Sequence, residues 1–196
     1  MNPLLDRALA ALALVVAAPV LGAAALAIRL ESRGPALFRQ RRVGRDGLPF
    51  EMLKLRTMVS GAESIGAGIV VEEGDARVTR IGRLLRRLSL DELPNLVNVV
   101  RGEMSLVGPR PTIQAQVDQY TERQRRRLEV RPGITGWAQV NGRAALPWHE
   151  RIELDVWYVD HRSTALDARI LVRTVSLLAS GRGLYRGDTG GWRPPA

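Results

Sequence analysis

The chain has no cysteine, so disulfides and thiolate metal sites are excluded. It has only two histidines, His149 and His161, far apart and without an H-x-x-x-H partner, which argues against zinc. Aromatic residues make up only 5 % of the chain. Acids are outnumbered, 20 against 29 lysines and arginines, giving a formal charge of +9 in 196 residues. Such a balance points to anionic partners: nucleic acid, phosphorylated metabolites or an acidic membrane surface. No helix-turn-helix, finger or RNP-like signature accompanies the charge, so nucleic acid is not expected as a partner. No repeat is evident, and the length suits one domain with a real core.

What is present begins with one long apolar run. From Ala8 to Ile28, "ALAALALVVAAPVLGAAALAI" carries no charge over about twenty residues, roughly the length that spans a bilayer. Arg7 precedes it and Arg29 and Arg33 follow, so the positive-inside rule names no crossing direction. Pro19 sits mid-run, where it removes a helical hydrogen bond and favours a kink. A full span and a re-entrant helix with both ends on one side fit equally. A signal peptide and a buried soluble helix are the lesser readings.

Asp46-Gly47 between two extended stretches predicts a hairpin. Residues 59–76, rich in glycine and acids, read as a surface loop. Ile81, Leu84, Leu85 and Leu88 recur at helical spacing, and a second apolar helix over 95–101 stops at Gly102. Residues 113–129 read as a polar helix whose "ERQRRRLE" is a solvated face or a contact for phosphate and lipid headgroups. "RPGITGWAQVNGR" reads as extended. Trp148, Ile152, Val156 and Val159 make a helical stripe. Residues 166–179 are amphipathic, with Arg169, Arg173 and Ser176 on a narrow polar stripe, and form a core helix or one lying in the membrane interface. The expected fold is α+β, mostly helical, with a small β-hairpin. It divides into an anchor at 1–33, a catalytic domain at 34–183 and a flexible tail at 184–196.

Within "RRLSLDELPNL", Ser89-Leu90-Asp91-Glu92 has the S-x-x-E form of a capping box. Pro94 disagrees with Ser89 as N-cap, because it would then fall beyond the first turn. A helix starting nearer Asp91 leaves the two acids at its mouth, a place that suits caps, anions and metals alike.

The stretches "LFRQRRVG", "FEMLKLRTM", "LSLDELPNLVNVVRGEMSLVGPRP", "RPGITGWAQVNGR" and "ELDVWYV" occur in this order. Together they resemble the small monotopic polyprenol-phosphate phosphoglycosyl transferases, bacterial sugar transferases that begin polyprenol-linked glycan assembly. The resemblance runs from the apolar N-terminus to about residue 180. It implies transfer of a sugar 1-phosphate from a UDP-sugar to polyprenol (undecaprenyl) phosphate, with release of UMP, at the inner leaflet of the bacterial cytoplasmic membrane. It also implies Asp91 as nucleophile, a covalent phosphoglycosyl-enzyme, Mg2+ at the Asp91–Glu92 pair and an anchor kinked at Pro19. Ala18 departs from the serine that often precedes this proline, which removes a side chain able to bond the freed backbone. The larger relatives' additional membrane bundle is not seen, and the chain is expected to act as a minimal catalytic unit.

The residue chemistry agrees with this scheme. An ionised aspartate is an oxygen nucleophile, and a pyrophosphate target needs its negative charge compensated. Lys54, Arg86 and Arg110 are the candidate phosphate ligands, with Arg56 weaker; Pro109 and Pro111 restrict the backbone around Arg110. Neighbouring side chains diverge on a helix, so Asp91 and Glu92 are expected to differ in role. Glu92 is assigned to metal, to acceptor phosphate or to general-base work. Gln139, Asn141 and Arg143 of "QVNGR" are expected at the nucleotide or sugar, unless they form an ordinary glycine turn. Trp137 packs or stacks on uracil; Trp157 and Tyr158 lie at the membrane interface or in the core.

Overall fold

A computed structural model of the chain describes residues 2–62, 74–142 and 145–180. The expected tail, Arg143 and most of the glycine- and acid-rich loop lie outside the described residues.

Helix α1 (Pro3–Glu31) begins where Asn2 accepts the Leu4 N–H on its side chain and Pro3 occupies the first helical position. It stays helical through Pro19, whose missing N–H leaves the carbonyl four residues back without its usual donor. Among the described residues it is the one helix long and apolar enough to cross a membrane. One face is packed along most of its length. Ala10, Ala13 and Leu14 sit on Phe50, Met52, Leu96, Val99 and Met104. Further along, Leu21, Ala24, Ala25 and Ile28 sit on Ala36, Leu55, Leu85 and Leu90. The opposite face leaves Leu4, Leu12, Val15, Val16, Leu26 and Leu30 exposed.

Strands β1 (Leu37–Val43) and β2 (Pro49–Leu55) form the expected antiparallel hairpin. Its turn holds Asp46 and Gly47 in the left-handed region, at φ 56° and 77°. Helix α2 (Arg80–Arg87) is capped by Thr79, which accepts the Gly82 N–H. Its apolar stripe is only partly internal: Leu85 is buried, whereas Leu84 and Leu88 are 52 % and 48 % exposed. Helix α3 (Asn95–Arg101) ends at Gly102, in the left-handed conformation as expected for a C-terminal glycine.

Two further strands were not legible. β3 (Ser105–Val107) and β4 (Gly133–Thr135) pair in parallel, Ser105 opposite Gly133 and Val107 opposite Thr135. Each is too short to show alternation, and their approach depends on Gly108 and Gly133, where a Cβ would fall within 2.4 Å of backbone. The expected helix over 113–129 is broken into α4 (Gln114–Val117), α5 (Glu122–Arg125) and a 3-10 turn at Arg126–Glu129. Thr121 breaks it by forming a capping box with Gln124. The "RPGITGWAQVNGR" segment is correspondingly not extended throughout, since α6 (Trp137–Val140) follows β4. Helix α7 (Trp148–His161) buries Ile152, Val156 and Val159 as the stripe predicted. Helix α8 (Thr164–Ser180) buries Ile170 but leaves Val172 and Val175 exposed.

The packing of α2 on the end of β2 is decided by Gly82, where a Cβ would lie 2.0 Å from the Thr57 carbonyl oxygen. Gly82→Ala is expected to lower stability by about 1–3 kcal/mol through overpacking. Thermal unfolding in nanodiscs, compared with the exposed control Gly22→Ala, where a Cβ meets nothing within 4 Å, checks this; equal effects would count against the close approach.

Candidate active site

Helix α2 stops because Ser89 turns into the left-handed region at φ 54° and ψ 22°. This corrects the capping-box reading: Ser89 makes no side-chain cap bond, because an N-cap needs extended rather than left-handed backbone. Leu90–Glu92 then form a 3-10 turn, and Pro94 flanks the start of α3. Asp91 and Glu92 therefore sit in the joint between two helices, and Pro94 stands where its missing N–H is harmless.

Two distant chain segments converge on Glu92. Lys54, from β2, donates to Glu92 Oε1 at 3.0 Å. Arg110, just after β3, donates through Nη2 to Oε1 at 2.6 Å and through Nη1 to Oε2 at 3.3 Å. The Lys54 and Glu92 side chains are only 17 % and 21 % exposed, and that of Arg110 is 48 % exposed. Burial alone would raise the Glu92 pKa, but Arg110 and Lys54 outweigh it and hold the carboxyl well below the usual range. Burial lowers the Lys54 pKa, opposed by Glu92. The Arg110 guanidinium is held charged by Glu92.

Asp91 is different. It has no hydrogen-bond or ion-pair partner among the described residues. Burial, then repulsion from Glu92, pushes its pKa up to about 6, against the pull of Lys54, Arg86 and Arg110. Arg86, near the C-terminal end of α2, spends only its Nε, donating to Thr57 Oγ1 at 2.8 Å. Its two terminal nitrogens have no partner among the described residues, a fork suited to a phosphate. Thr57 is thus a positioning partner that sequence reasoning missed.

Among the described residues no group of three or more acids or histidines makes an all-protein metal site. The donor set nevertheless fits magnesium, which takes one or two carboxylates and fills its shell with substrate phosphate and water. Asp91 offers a carboxylate with no competing partner, whereas both Glu92 oxygens already accept from cations.

Other expected site residues are placed elsewhere. Arg56 is structural: its buried guanidinium donates to the Arg33 and Ser32 carbonyl oxygens at 2.6 and 2.8 Å, tying the end of α1 to β2. Gln139 is buried and neither of its amide atoms has a partner among the described residues. It sits beside Gly136, which abuts the Gly108 carbonyl two residues before Arg110. Asn141 is satisfied internally, donating to the Trp137 carbonyl at 2.8 Å and accepting from Arg173 at 3.4 Å, so it acts as a local brace. Trp137 stacks on Trp157 at 4.9 Å and carries the Arg173 guanidinium at 5.5 Å. Tyr158 is a core residue whose hydroxyl donates to Asp167 at 2.7 Å. Asn98, fully buried on α3, was missed. Its amide donates to the Glu51 carbonyl at 2.6 Å and its Oδ1 accepts from the Leu53 N–H at 3.2 Å, fixing the strand that carries Lys54. A lone asparagine in "LVNVV" was the available signal.

A basic, carboxylate-centred site beside one long apolar helix suits phosphate-bearing substrates. The chain belongs to the bacterial sugar transferase family, whose sequence model matches residues 1–181. It is 48 % identical over 159 residues to the uncharacterized sugar transferase EpsL of Bacillus subtilis, covering 81 % of this chain and 77 % of that protein. It is 47 % identical over 190 residues to the UDP-glucose:undecaprenyl-phosphate glucose-1-phosphate transferase of Caulobacter vibrioides, covering 92 % and 70 %. A third relative is the UDP-N-acetylgalactosamine-undecaprenyl-phosphate N-acetylgalactosaminephosphotransferase of Aeromonas hydrophila. Identity there is 40 % over 185 residues, covering 91 % of this chain but 44 % of that protein.

Because Glu92 raises the Asp91 pKa, Glu92→Gln is expected to lower it from about 6. The change removes a negative neighbour and leaves Lys54 and Arg110 facing Asp91 alone. Carboxyl-carbon NMR titration in nanodiscs, with Asp91→Asn to assign the signal, reads this without turnover; an upward shift would contradict the electrostatic order.

Proposed function

We propose that the protein transfers a sugar 1-phosphate from a UDP-sugar to undecaprenyl phosphate at the cytoplasmic face of a bacterial membrane. The products are UMP and an undecaprenyl-diphosphate sugar, the start of a polysaccharide or glycoconjugate. The carrying observation is Asp91, a half-buried carboxylate without a partner among the described residues, flanked by Lys54, Arg86 and Arg110.

The chemistry follows in two displacements. The Asp91 carboxylate attacks the β-phosphorus of the UDP-sugar, a P–O bond to Asp91 forms, and the bridging P–O bond breaks with its electron pair leaving on UMP. A phosphate oxygen of undecaprenyl phosphate then attacks the same phosphorus and releases Asp91 as the carboxylate. With a pKa of about 6, Asp91 is mostly ionised at neutral pH yet more basic than an ordinary aspartate. Arg86 supplies an open fork, and entering phosphate oxygens compete with Glu92 for Lys54 and Arg110. Magnesium held by Asp91, and by Glu92 as it exchanges partners, would supply charge neutralisation on the phosphates. Gln139, buried with an unspent amide, is read as a hydrogen-bonding group for the nucleotide or sugar. Arg143 keeps its expected place in that group.

The anchor is read as monotopic. Near the N-terminus of α1, Asp6 accepts from Ser105 Oγ and from the Leu106 N–H. At the other end, Glu31 accepts from the Arg80 and Ile81 N–H groups. A straight spanning helix would put these ends on opposite faces, about 30 Å apart. Ties from both ends to one folded unit favour entry and exit on the same side, with Pro19 as the bend and residues 1–33 as the anchor. The exposed apolar face then lies in lipid.

Wild-type protein in nanodiscs is expected to release UMP from one or more of UDP-glucose, UDP-galactose and UDP-N-acetylgalactosamine, dependent on undecaprenyl phosphate. UDP-sugar alone should leave labelled sugar phosphate on the protein. Asp91→Asn should lose label and at least about 10³-fold in rate; near wild-type release would sink the assignment. Separately, a cysteine placed at residue 2 should resist impermeant labelling in intact cells, whereas efficient external labelling would establish a span.

A further inference from the structure

The segment that carries Arg110 is held from behind by a buried charged network outside the reacting groups. Arg127 is buried although it lies within the very polar "ERQRRRLE" stretch. Its Nη2 donates to Asp155 Oδ2 on α7 and, at 3.0 Å, to the backbone carbonyl of Arg110. Its Nη1 donates to the Tyr120 hydroxyl, which donates to Thr112 Oγ1 at 3.1 Å. The Thr112 carbonyl in turn accepts the Val43 N–H at 2.8 Å, at the end of β1. Arg110 is therefore pinned by Arg127, and Thr112 both by Tyr120 and by β1. Two prolines limit the backbone between and before these pins.

A half-exposed Arg110 side chain gains little positional restraint from packing. Its reach toward Glu92 is set mainly by where its own backbone is held. Well-packed apolar residues often give equal or better stability than a buried ion pair, so stability alone is a weak reason to keep one here. A guanidinium that binds a carboxylate and a backbone carbonyl together does what no apolar residue can.

We propose that Arg127, oriented by Asp155, is a positioning residue that sets the Arg110 guanidinium for the substrate pyrophosphate. This rests on the reading of Arg110 as a phosphate clamp. Arg127 touches no reacting atom; it acts through the Arg110 backbone.

A double-mutant cycle on UMP release in nanodiscs tests it. Arg127→Met is expected to lower kcat/KM for the UDP-sugar about 10- to 100-fold in the otherwise wild-type chain, as misplacing a clamp does. In the Arg110→Ala background the same change should cost less than about twofold. The fall in thermal midpoint should be alike in both backgrounds. Two gentler variants cover a folding failure. Arg127→Lys keeps the charge for Asp155 without the fork, and Tyr120→Phe keeps the ring without the hydroxyl; each should show the same dependence on Arg110. Equal fold-losses in both backgrounds would make the network merely structural and overturn the positioning role. Unchanged kcat/KM in Arg110→Ala alone would overturn the clamp reading and this one with it.

Discussion

The site depends on one shared carboxylate. Glu92 sits between Lys54 and Arg110, and these residues come from segments far apart in the chain. Each cation would be costly to shield from water alone, and so would the acid. Together they hold β2, the helix joint and the exit of β3 in one place. Burial, and then the negative charge of Glu92, keep the Asp91 pKa raised in a basic protein, against the pull of Lys54, Arg86 and Arg110. The cations suited to phosphate and the Asp91 carboxylate are thereby kept side by side without neutralising one another.

The same joint is built on the long apolar helix α1. Leu90 packs against the second half of α1, and Leu93 and Leu96 belong to the cluster formed with its first half. Asp91 thus lies between two residues placed by the anchor. The apolar clusters beneath the hairpin are completed by Ala10, Ala24 and Ile28 of that helix. Small residues let α1 approach α3 closely, while the larger aliphatic residues on its outer face remain exposed. On the proposed reading, an enzyme joining a water-soluble donor to a lipid acceptor needs Asp91 at a fixed depth. Packing the turn that carries Asp91 on α1 would supply that depth directly.

Much of this was legible where local chemistry decides structure. Asp46-Gly47 set the hairpin, Gly102 ended α3, and Pro94 argued against Ser89 as a helix cap. Lys54, Arg86 and Arg110 were identifiable as cations in motifs. That two of them meet on Glu92 was not, because contacts 38 and 18 residues apart leave no periodic trace. Arg127 and Arg56 read as surface charge or phosphate ligands until their carbonyl partners were known. The parallel pair escaped because its strands are three residues each and their closeness depends on glycines. Asn141 and Gln139 stand two apart in one motif, yet the fold satisfies the first and leaves the second open. Sequence assigns such residues to a neighbourhood, and only packing assigns them to a partner.

The division of labour between adjacent acids also has a geometric origin. In a 3-10 turn successive side chains point about 120° apart, three residues completing one turn. Once Glu92 faces Lys54 and Arg110, Asp91 must face elsewhere. The turn exists because α2 is stopped by Ser89 in a left-handed conformation that costs a non-glycine residue about 1–2 kcal/mol. An ordinary capped helix through Leu90 and Asp91 would avoid that cost. It would also carry Pro94 into a hydrogen-bonded position and turn the acids with the helix surface. A locally unfavourable serine conformation is therefore tied to two consequences: the chain re-enters a helix at Asn95 with its proline harmless, and one acid is left without a partner beside three cations.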